Sequence, residues 1–135
     1  MSPILLRRLL VLAAVALSAG ALALALGGAR DANGGALEPV GSSYEARVAP
    51  YGPGLYGRPT ACGRNLTRAT RGIAHPVLPC GAKIFVSYEG REVATEVVDR
   101  GPHAAGRDFE ITEALAAELG LSGVQAVQWR FAGEG

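Results

Sequence analysis

The 135-residue chain has few of the residues that build metal centres. It contains two cysteines and two histidines. No second cysteine pair and no pair of closely spaced histidines is present to complete a tetrahedral zinc site. The sequence also lacks a long repeat and any low-complexity tract, which excludes a repeat protein. We therefore predict a domain with no metal and no cofactor.

A basic surface is also missing once the first thirty residues are set aside. The chain carries 13 Lys and Arg against 12 Asp and Glu, and Arg7, Arg8 and Arg30 are three of the 13. The remaining segment has ten basic and twelve acidic residues, a net charge of about −2. Domains that bind nucleic acid carry a basic patch, so the sequence predicts no nucleic-acid partner.

One long hydrophobic run stands near the N-terminus. Arg7 and Arg8 precede Leu9–Leu26, which consists of Leu, Val, Ala, Ser and Gly. This pattern predicts a signal peptide over residues 1–29, and the length of the run also allows a retained membrane anchor. No cysteine lies near its end, so we expect no lipoprotein. In both cases the folded part is predicted to be secreted or to face the outside of the cell envelope.

Residues 30–42 are rich in Gly and small residues and predict a flexible linker before a domain over 43–135. A domain of this size buries a modest core and is stabilised by a covalent cross-link. In an oxidising compartment Cys62 and Cys80 are expected to form a disulfide. Closing this loop should stabilise the folded domain by about 3 kcal/mol. Two free thiols, or half of a metal site, are the alternatives. We expect the domain to be a monomer.

The domain is predicted to be all-β with one short helix, because Gly and Pro recur every few residues. Thr112 as N-cap and Gly120 as the C′ residue bound the predicted helix. A closed barrel is favoured over a sandwich because closure removes exposed strand edges. The predicted strands, the second and third of which form a hairpin, are Tyr44–Pro50, Lys83–Tyr88, Glu92–Val98 and Ala126–Phe131.

The most informative segment is the turn that follows the second strand of this hairpin. Asp99 and Arg100 stand there, directly before Gly101 and Pro102. Rigid scaffolds present functional groups on the loops that leave their strands, so Asp99 is the leading candidate for a reactive side chain. The alternative is structural, with the carboxylate binding nearby amides to hold the turn.

Four segments, in this order and at this spacing, resemble the rare lipoprotein A family of double-psi β-barrel proteins. They are Tyr51–Gly63, Ala74–Gly81, Val98–Pro102 and Asp108–Thr112. The resemblance covers residues 44–131 and implies a six-stranded double-psi β-barrel with a groove for glycan. The form with two cysteines is similar to short secreted actinobacterial members, and distantly to the first domain of expansins.

The resemblance implies a peptidoglycan lytic transglycosylase that acts on glycan strands without stem peptides during cell-wall remodelling. In that reaction a carboxylic acid protonates the glycosidic oxygen and then accepts the proton of the sugar's 6-hydroxyl. Carried over to this chain, the acid is Asp99. The family's histidine before the Leu-Pro turn is His75, which would orient Asp99 or the sugar.

Four further residues are expected to contact the glycan. Arg100 would brace the loop or bind substrate. Tyr51 and Tyr56 would stack on sugar rings, or cover the end of the barrel. Glu110 matches an aspartate of expansins and would act as a partial second acid, or accept backbone hydrogen bonds ahead of the helix. His103 has no counterpart in the family and is expected to be exposed to solvent.

Arg64 is a departure from the family pattern, since many members carry a glutamate at that place. The loss of this acid favours an alternative function. In that alternative the chain is a non-catalytic secreted barrel that binds cell-wall glycan or a protein partner, in the manner of expansins or protease inhibitors.

Overall fold

The structure is a computed structural model that describes residues 36–134, so the predicted signal peptide or anchor over 1–29 lies outside it. Within the described residues no helix has the length and apolar character needed to cross a membrane. The elements, in chain order, are β1 (Leu37–Pro50), a 3₁₀ turn (Pro53–Leu55), β2 (Ile73–Ala74), β3 (Lys83–Tyr88), β4 (Arg91–Asp99), β5 (Phe109–Ile111), α1 (Glu113–Leu119) and β6 (Gln125–Glu134).

The six strands form a closed barrel in the order β1-β5-β2-β4-β3-β6. Two neighbouring pairs, β1 with β5 and β2 with β4, run parallel. The other four pairs are antiparallel. The predicted all-β double-psi barrel with one short helix is confirmed.

The first strand begins earlier than the sequence indicates. Residues 37–42, which the linker prediction over 30–42 includes, belong to β1 and pair with the end of β6, as in Leu37 with Glu134 and Val40 with Phe131. The register shifts between Val40 and Tyr44, where Gly41 takes a φ of 73°. Pro39 and Gly41 interrupt any strand pattern in this segment, which is held as a strand by its backbone pairing with β6. The linker prediction is wrong for these six residues.

The barrel interior is filled by β-branched and aromatic side chains that alternate along the strands. Val97 of β4, Phe109 and Ile111 of β5, and Leu115 of α1 are each at most 1% exposed. Both predicted helix signals are confirmed: the Thr112 hydroxyl accepts from the Leu115 amide at 3.3 Å, and Gly120 ends the helix with a φ of 68°.

Cys62 and Cys80 form the predicted disulfide. The bond ties the loop before β2 to the turn after it. Both segments flank the C-terminal end of β4, where Asp99 lies, so the bridge fixes one side of the candidate site described next.

Candidate functional site

Asp99 is the last residue of β4 and is held at a fixed orientation by three donors. Its Oδ1 atom accepts the backbone N–H of Ala61 at 2.8 Å and that of Arg100 at 2.7 Å. Its Oδ2 atom accepts the Tyr51 hydroxyl at 3.2 Å. The residue is only 8% exposed. One oxygen is thus engaged by backbone, and the other is left with a single side-chain donor.

Tyr51 follows β1 and supplies that donor. Its backbone N–H donates to the carbonyl of Ile111 at 2.9 Å, and the residue is 5% exposed. Burial, reinforced by the neighbouring charge of Asp99, raises the pKa of Tyr51 well above its ordinary value of 10.0. The hydroxyl therefore stays protonated and can only donate to the carboxylate.

An open cleft of about 290 Å³ lies against Asp99. Its size is at the lower end of the range for small-molecule sites. One wall comes from the loop between β1 and β2 and the other from the turn after β4. The lining residues are Leu55, Arg58, Pro59, Thr60, Ala61, Leu66, Asp99, Arg100 and His103.

His103 lies in this cleft and is bound to a buried carboxylate. Glu110, on β5, is 1% exposed; its Oε1 atom accepts the backbone N–H of His103 and lies 2.9 Å from the ring Nδ1. The other ring nitrogen, Nε2, is 3.9 Å from Oδ2 of Asp99. The guanidinium of Arg107 is 3.5 Å from the second oxygen of Glu110. His103 is exposed, as predicted, with 37% of its side chain accessible, but its ring also contacts Glu110 and lies near Asp99.

His75 occupies a different position from the one the resemblance suggests. Its backbone N–H donates to the carbonyl of Asp99 at 3.1 Å. The ring Nδ1, however, accepts the two amides of the turn 77–78 at 3.2 and 3.1 Å. The ring lies 5.6 Å from that of Phe109 and 6.1 Å from that of Trp129. The described contacts of the His75 ring are thus with the turn and the interior aromatics, and the structure does not bring it to the Asp99 carboxylate.

Arg100 braces the same turn from the other side. Its guanidinium donates to the carbonyl of His75 at 3.2 Å and to that of Leu78 at 2.6 Å. Burial, and next the charge of Arg100, lowers the pKa of His75 below its ordinary value of 6.5. Of the two roles predicted for Arg100, the structure gives it the bracing contacts, while its side chain still lines the cleft.

Tyr56 is also fixed to the fold through its hydroxyl, which accepts the backbone N–H of Glu113 at 2.7 Å. Its ring meets that of Tyr51 edge-on at 6.3 Å, and the guanidinium of Arg68 lies 4.7 Å above it. The two tyrosines also line a second cleft, of about 420 Å³, beside α1. Because both hydroxyls are occupied within the protein, any contribution to ligand binding falls to the rings.

Arg64, at the family's glutamate position, points to the barrel wall. Its guanidinium pairs with Glu96 of β4, which Lys83 also binds at 2.8 Å. Burial raises the pKa of Glu96, but the hydrogen bonds from Lys83 and Arg64 outweigh it and leave the pKa below its ordinary value. The described contact of the Arg64 side chain is thus an ion pair with β4.

The arrangement as a whole is suited to moving protons. A carboxylate that lines an open cleft, with an imidazole beside it, can exchange protons with a bound ligand. Among residues 36–134 no three His, Cys, Asp or Glu side chains are grouped as a metal site would need. Sequence reasoning found Asp99, Tyr51 and Glu110, and missed His103. The spacing of four residues from Asp99 across a Gly-Pro turn was the one available signal for it.

Comparison with known proteins gives matches to one family. A family model described as lytic transglycolase matches residues 49–130. A protein named probable endolytic peptidoglycan transglycosylase RlpA from Synechocystis is 36% identical over 73 residues, which cover 53% of this chain and 23% of that protein. The protein of the same name from Aquifex aeolicus is 38% identical over 73 residues, with 53% and 32% covered. The match thus spans less than a third of the length of these relatives.

Among solved structures, the Streptomyces papain inhibitor is similar over 69% of this chain and 96% of its own. The TM-score is 0.53 and the sequence identity is 25%. In contrast to the two curated relatives, this inhibitor consists almost entirely of the part that is shared with the chain.

Proposed function

The chain belongs to the lytic transglycolase family of double-psi β-barrel proteins, and from this premise we propose that it cleaves the glycan strands of peptidoglycan, with Asp99 as acid and base. The observation that carries the proposal is the Asp99 carboxylate, which three donors hold in an open cleft that the residue lines. A positioned acid at hydrogen-bond distance from the leaving oxygen is the central requirement of this reaction.

The chemistry balances with a single carboxyl group. Asp99 gives its proton to the glycosidic oxygen as the bond from that oxygen to the anomeric carbon breaks. The 6-hydroxyl of the same sugar attacks the anomeric carbon, and its proton moves to the Asp99 carboxylate, which restores the acid. The products are one strand with a new hydroxyl and one that ends in an anhydro sugar, and no water is consumed. The amides of Ala61 and Arg100 and the Tyr51 hydroxyl stabilise the carboxylate that remains after the first proton has left.

The remaining site residues take supporting roles in this proposal. Arg100 and His75 hold the turn 77–78 beside the site, and the backbone N–H of His75 ties this turn to the carbonyl of Asp99. Tyr51 contributes through its hydroxyl, which holds Asp99, while the ring of Tyr56 lines the second cleft beside α1, where a sugar that extends beyond the Asp99 cleft can pack against it. The substrate is a strand without stem peptides, and the protein acts at the outer face of the cell envelope or after secretion, where the disulfide between Cys62 and Cys80 is stable.

The test is to incubate the purified protein with stem-peptide-free glycan strands and to analyse the products by mass spectrometry. We expect fragments lighter by one water than hydrolysis products, and we expect Asp99→Asn to abolish them. Asp108→Asn is a matched control, because that carboxylate accepts the backbone N–H of Arg47 away from the cleft. Intact strands after incubation with the unmodified protein would refute the proposal.

A second candidate function is inhibition of a cysteine protease of the papain type. It is favoured by one observation, the match that covers 96% of the Streptomyces papain inhibitor. The measurement is the activity of papain on a small peptide substrate, titrated with the purified protein. A stoichiometric loss of protease activity would support a protein-binding barrel, and papain activity that stays constant at excess protein would remove this candidate.

A further inference from the structure

We propose that His103, oriented by Glu110, is a second proton-transfer residue of the site. Its Nε2 atom takes the proton of the attacking hydroxyl while Asp99 gives its own proton to the glycosidic oxygen. This inference rests on the proposed glycan cleavage and divides the acid and base roles between two residues. It is carried by the chain of contacts from Glu110 through His103 to Asp99.

The first step of the argument is that Glu110 fixes the ring of His103. The Oε1 atom accepts the backbone N–H of His103, and the ring Nδ1 lies 2.9 Å from the same atom. A carboxylate oxygen that already accepts one hydrogen bond is the natural acceptor for a second, so Nδ1 carries the ring proton. Nε2 is then left with a free lone pair, which is what a base requires.

The second step is that this lone pair faces the place where the reaction would occur. Nε2 is 3.9 Å from Oδ2 of Asp99, and both residues line the same cleft of about 290 Å³. A separation of 3.9 Å is too long for a hydrogen bond, so Nε2 of His103 and Oδ2 of Asp99 do not bind each other directly. A bound sugar can therefore meet both.

The proton count closes over one cycle. The proton of Asp99 moves to the glycosidic oxygen, and the bond from that oxygen to the anomeric carbon breaks. The new bond forms from the 6-hydroxyl oxygen to the anomeric carbon, and the hydroxyl proton moves to Nε2 of His103. Nε2 then returns the proton to Oδ2 of Asp99, for which the two atoms need to approach by about 1 Å. The negative charge of Glu110 stabilises the imidazolium between these steps, as the aspartate of a catalytic triad does.

The charged and polar groups around His103 agree with this role. Glu110 and Asp99 face its two nitrogens, Arg107 contacts Glu110 on the far side, and the Tyr51 ring lies 5.6 Å from the imidazole. Because Arg64 replaces the family's glutamate and binds Glu96 instead, His103 would supply the second group that this position no longer provides.

The first test reads the ring protons directly and does not depend on activity. The chain has only two histidines, so long-range ¹H–¹⁵N spectra at neutral to mildly alkaline pH resolve both side chains. We expect His103 to carry its proton on Nδ1 and His75 to carry its proton on Nε2, because Nδ1 of His75 accepts two amides. Glu110→Leu, which removes the acceptor, should remove the preference of His103 for a proton on Nδ1 and leave the tautomer of His75 unchanged. A proton on Nε2 of His103 in the unmodified protein would overturn the inference.

The second test uses cleavage of stem-peptide-free strands. His103→Gln removes the base and should lower kcat by roughly 10²- to 10⁴-fold, with KM within a few-fold of its original value. Glu110→Asp keeps a carboxylate acceptor and should preserve both the tautomer and most of the activity, whereas Glu110→Leu, which has no acceptor, should lose both. Glu92→Gln is the matched control, since Glu92 pairs with Arg130 on the outside of the barrel.

The outcomes separate the two proposals. If the unmodified protein cleaves strands and His103→Gln cleaves them equally fast, His103 is not a base, while Asp99 keeps its role. If the unmodified protein cleaves nothing, the proposed function fails and the role of His103 falls with it. Because Glu110 is buried, its variants are interpreted only when their spectra show a folded protein, and His103→Gln, at a part-exposed position, decides the question if they do not.

Discussion

Removal of the Tyr51 hydroxyl is the sharpest probe of how Asp99 is held. Tyr51→Phe deletes the donor that lies 3.2 Å from Oδ2 and leaves the ring in place. The two residues are 5% and 8% exposed, so water has little access to replace the lost hydrogen bond. A hydrogen bond to a charged group contributes about 1.5–3 kcal/mol. For a domain of this size, that corresponds to a fall in Tm of roughly 6–24 °C.

The assay is thermal and urea unfolding followed by circular dichroism, with Tyr44→Phe as the matched control. Tyr44 is 44% exposed and stacks on Trp129 with ring centroids 4.8 Å apart, so the same substitution there should change stability by less than about 0.5 kcal/mol. If Tyr51→Phe proves as mild as Tyr44→Phe, Tyr51 does not hold the carboxylate and the description of the site is wrong.

Three further predictions concern the surroundings of the site. Arg64→Gln should cost less than about 1 kcal/mol in urea unfolding, because the ion pair with Glu96 is half exposed, and a larger loss would give Arg64 a role beyond that pair. The lowered pKa of His75 means that the unfolded chain binds more protons, so stability is complete above pH 6.5 and declines below it. Between about pH 8 and about pH 5.5, the Tm of His75→Gln should therefore fall less than the Tm of the unmodified protein. An equal fall in both proteins would refute this. Replacing Cys62 and Cys80 by serine should cost about 3 kcal/mol, and an unchanged urea midpoint would contradict it.

Much of the fold could be predicted because its signals are local. The hairpin of β3 and β4 follows from alternating β-branched residues around a Gly turn, and the bounds of α1 follow from Thr112 and Gly120. The disulfide follows from the small size of the domain and the presence of only two cysteines. The position of Asp99 at the end of a strand was also visible, because a Gly-Pro turn follows it.

The remaining features depend on contacts between distant segments. β2 and β5 have two and three residues, too few to show a period, and exist because neighbouring strands pair with them. The sequence did not reveal that Glu110, on β5, lies beside His103. It also did not reveal that the ring of His75 turns toward Phe109, because the backbone of β2 decides which way that side chain points.

The central claim is that the scissile bond of a glycan lies at the Oδ2 atom of Asp99. The most direct measurement is a crystal structure of Asp99→Asn soaked with a short stem-peptide-free glycan fragment. We predict a glycosidic oxygen within about 3 Å of the substituted side chain, with a 6-hydroxyl near Nε2 of His103. A fragment bound only in the second cleft beside α1, or on the exposed ring of Tyr44, would contradict the account.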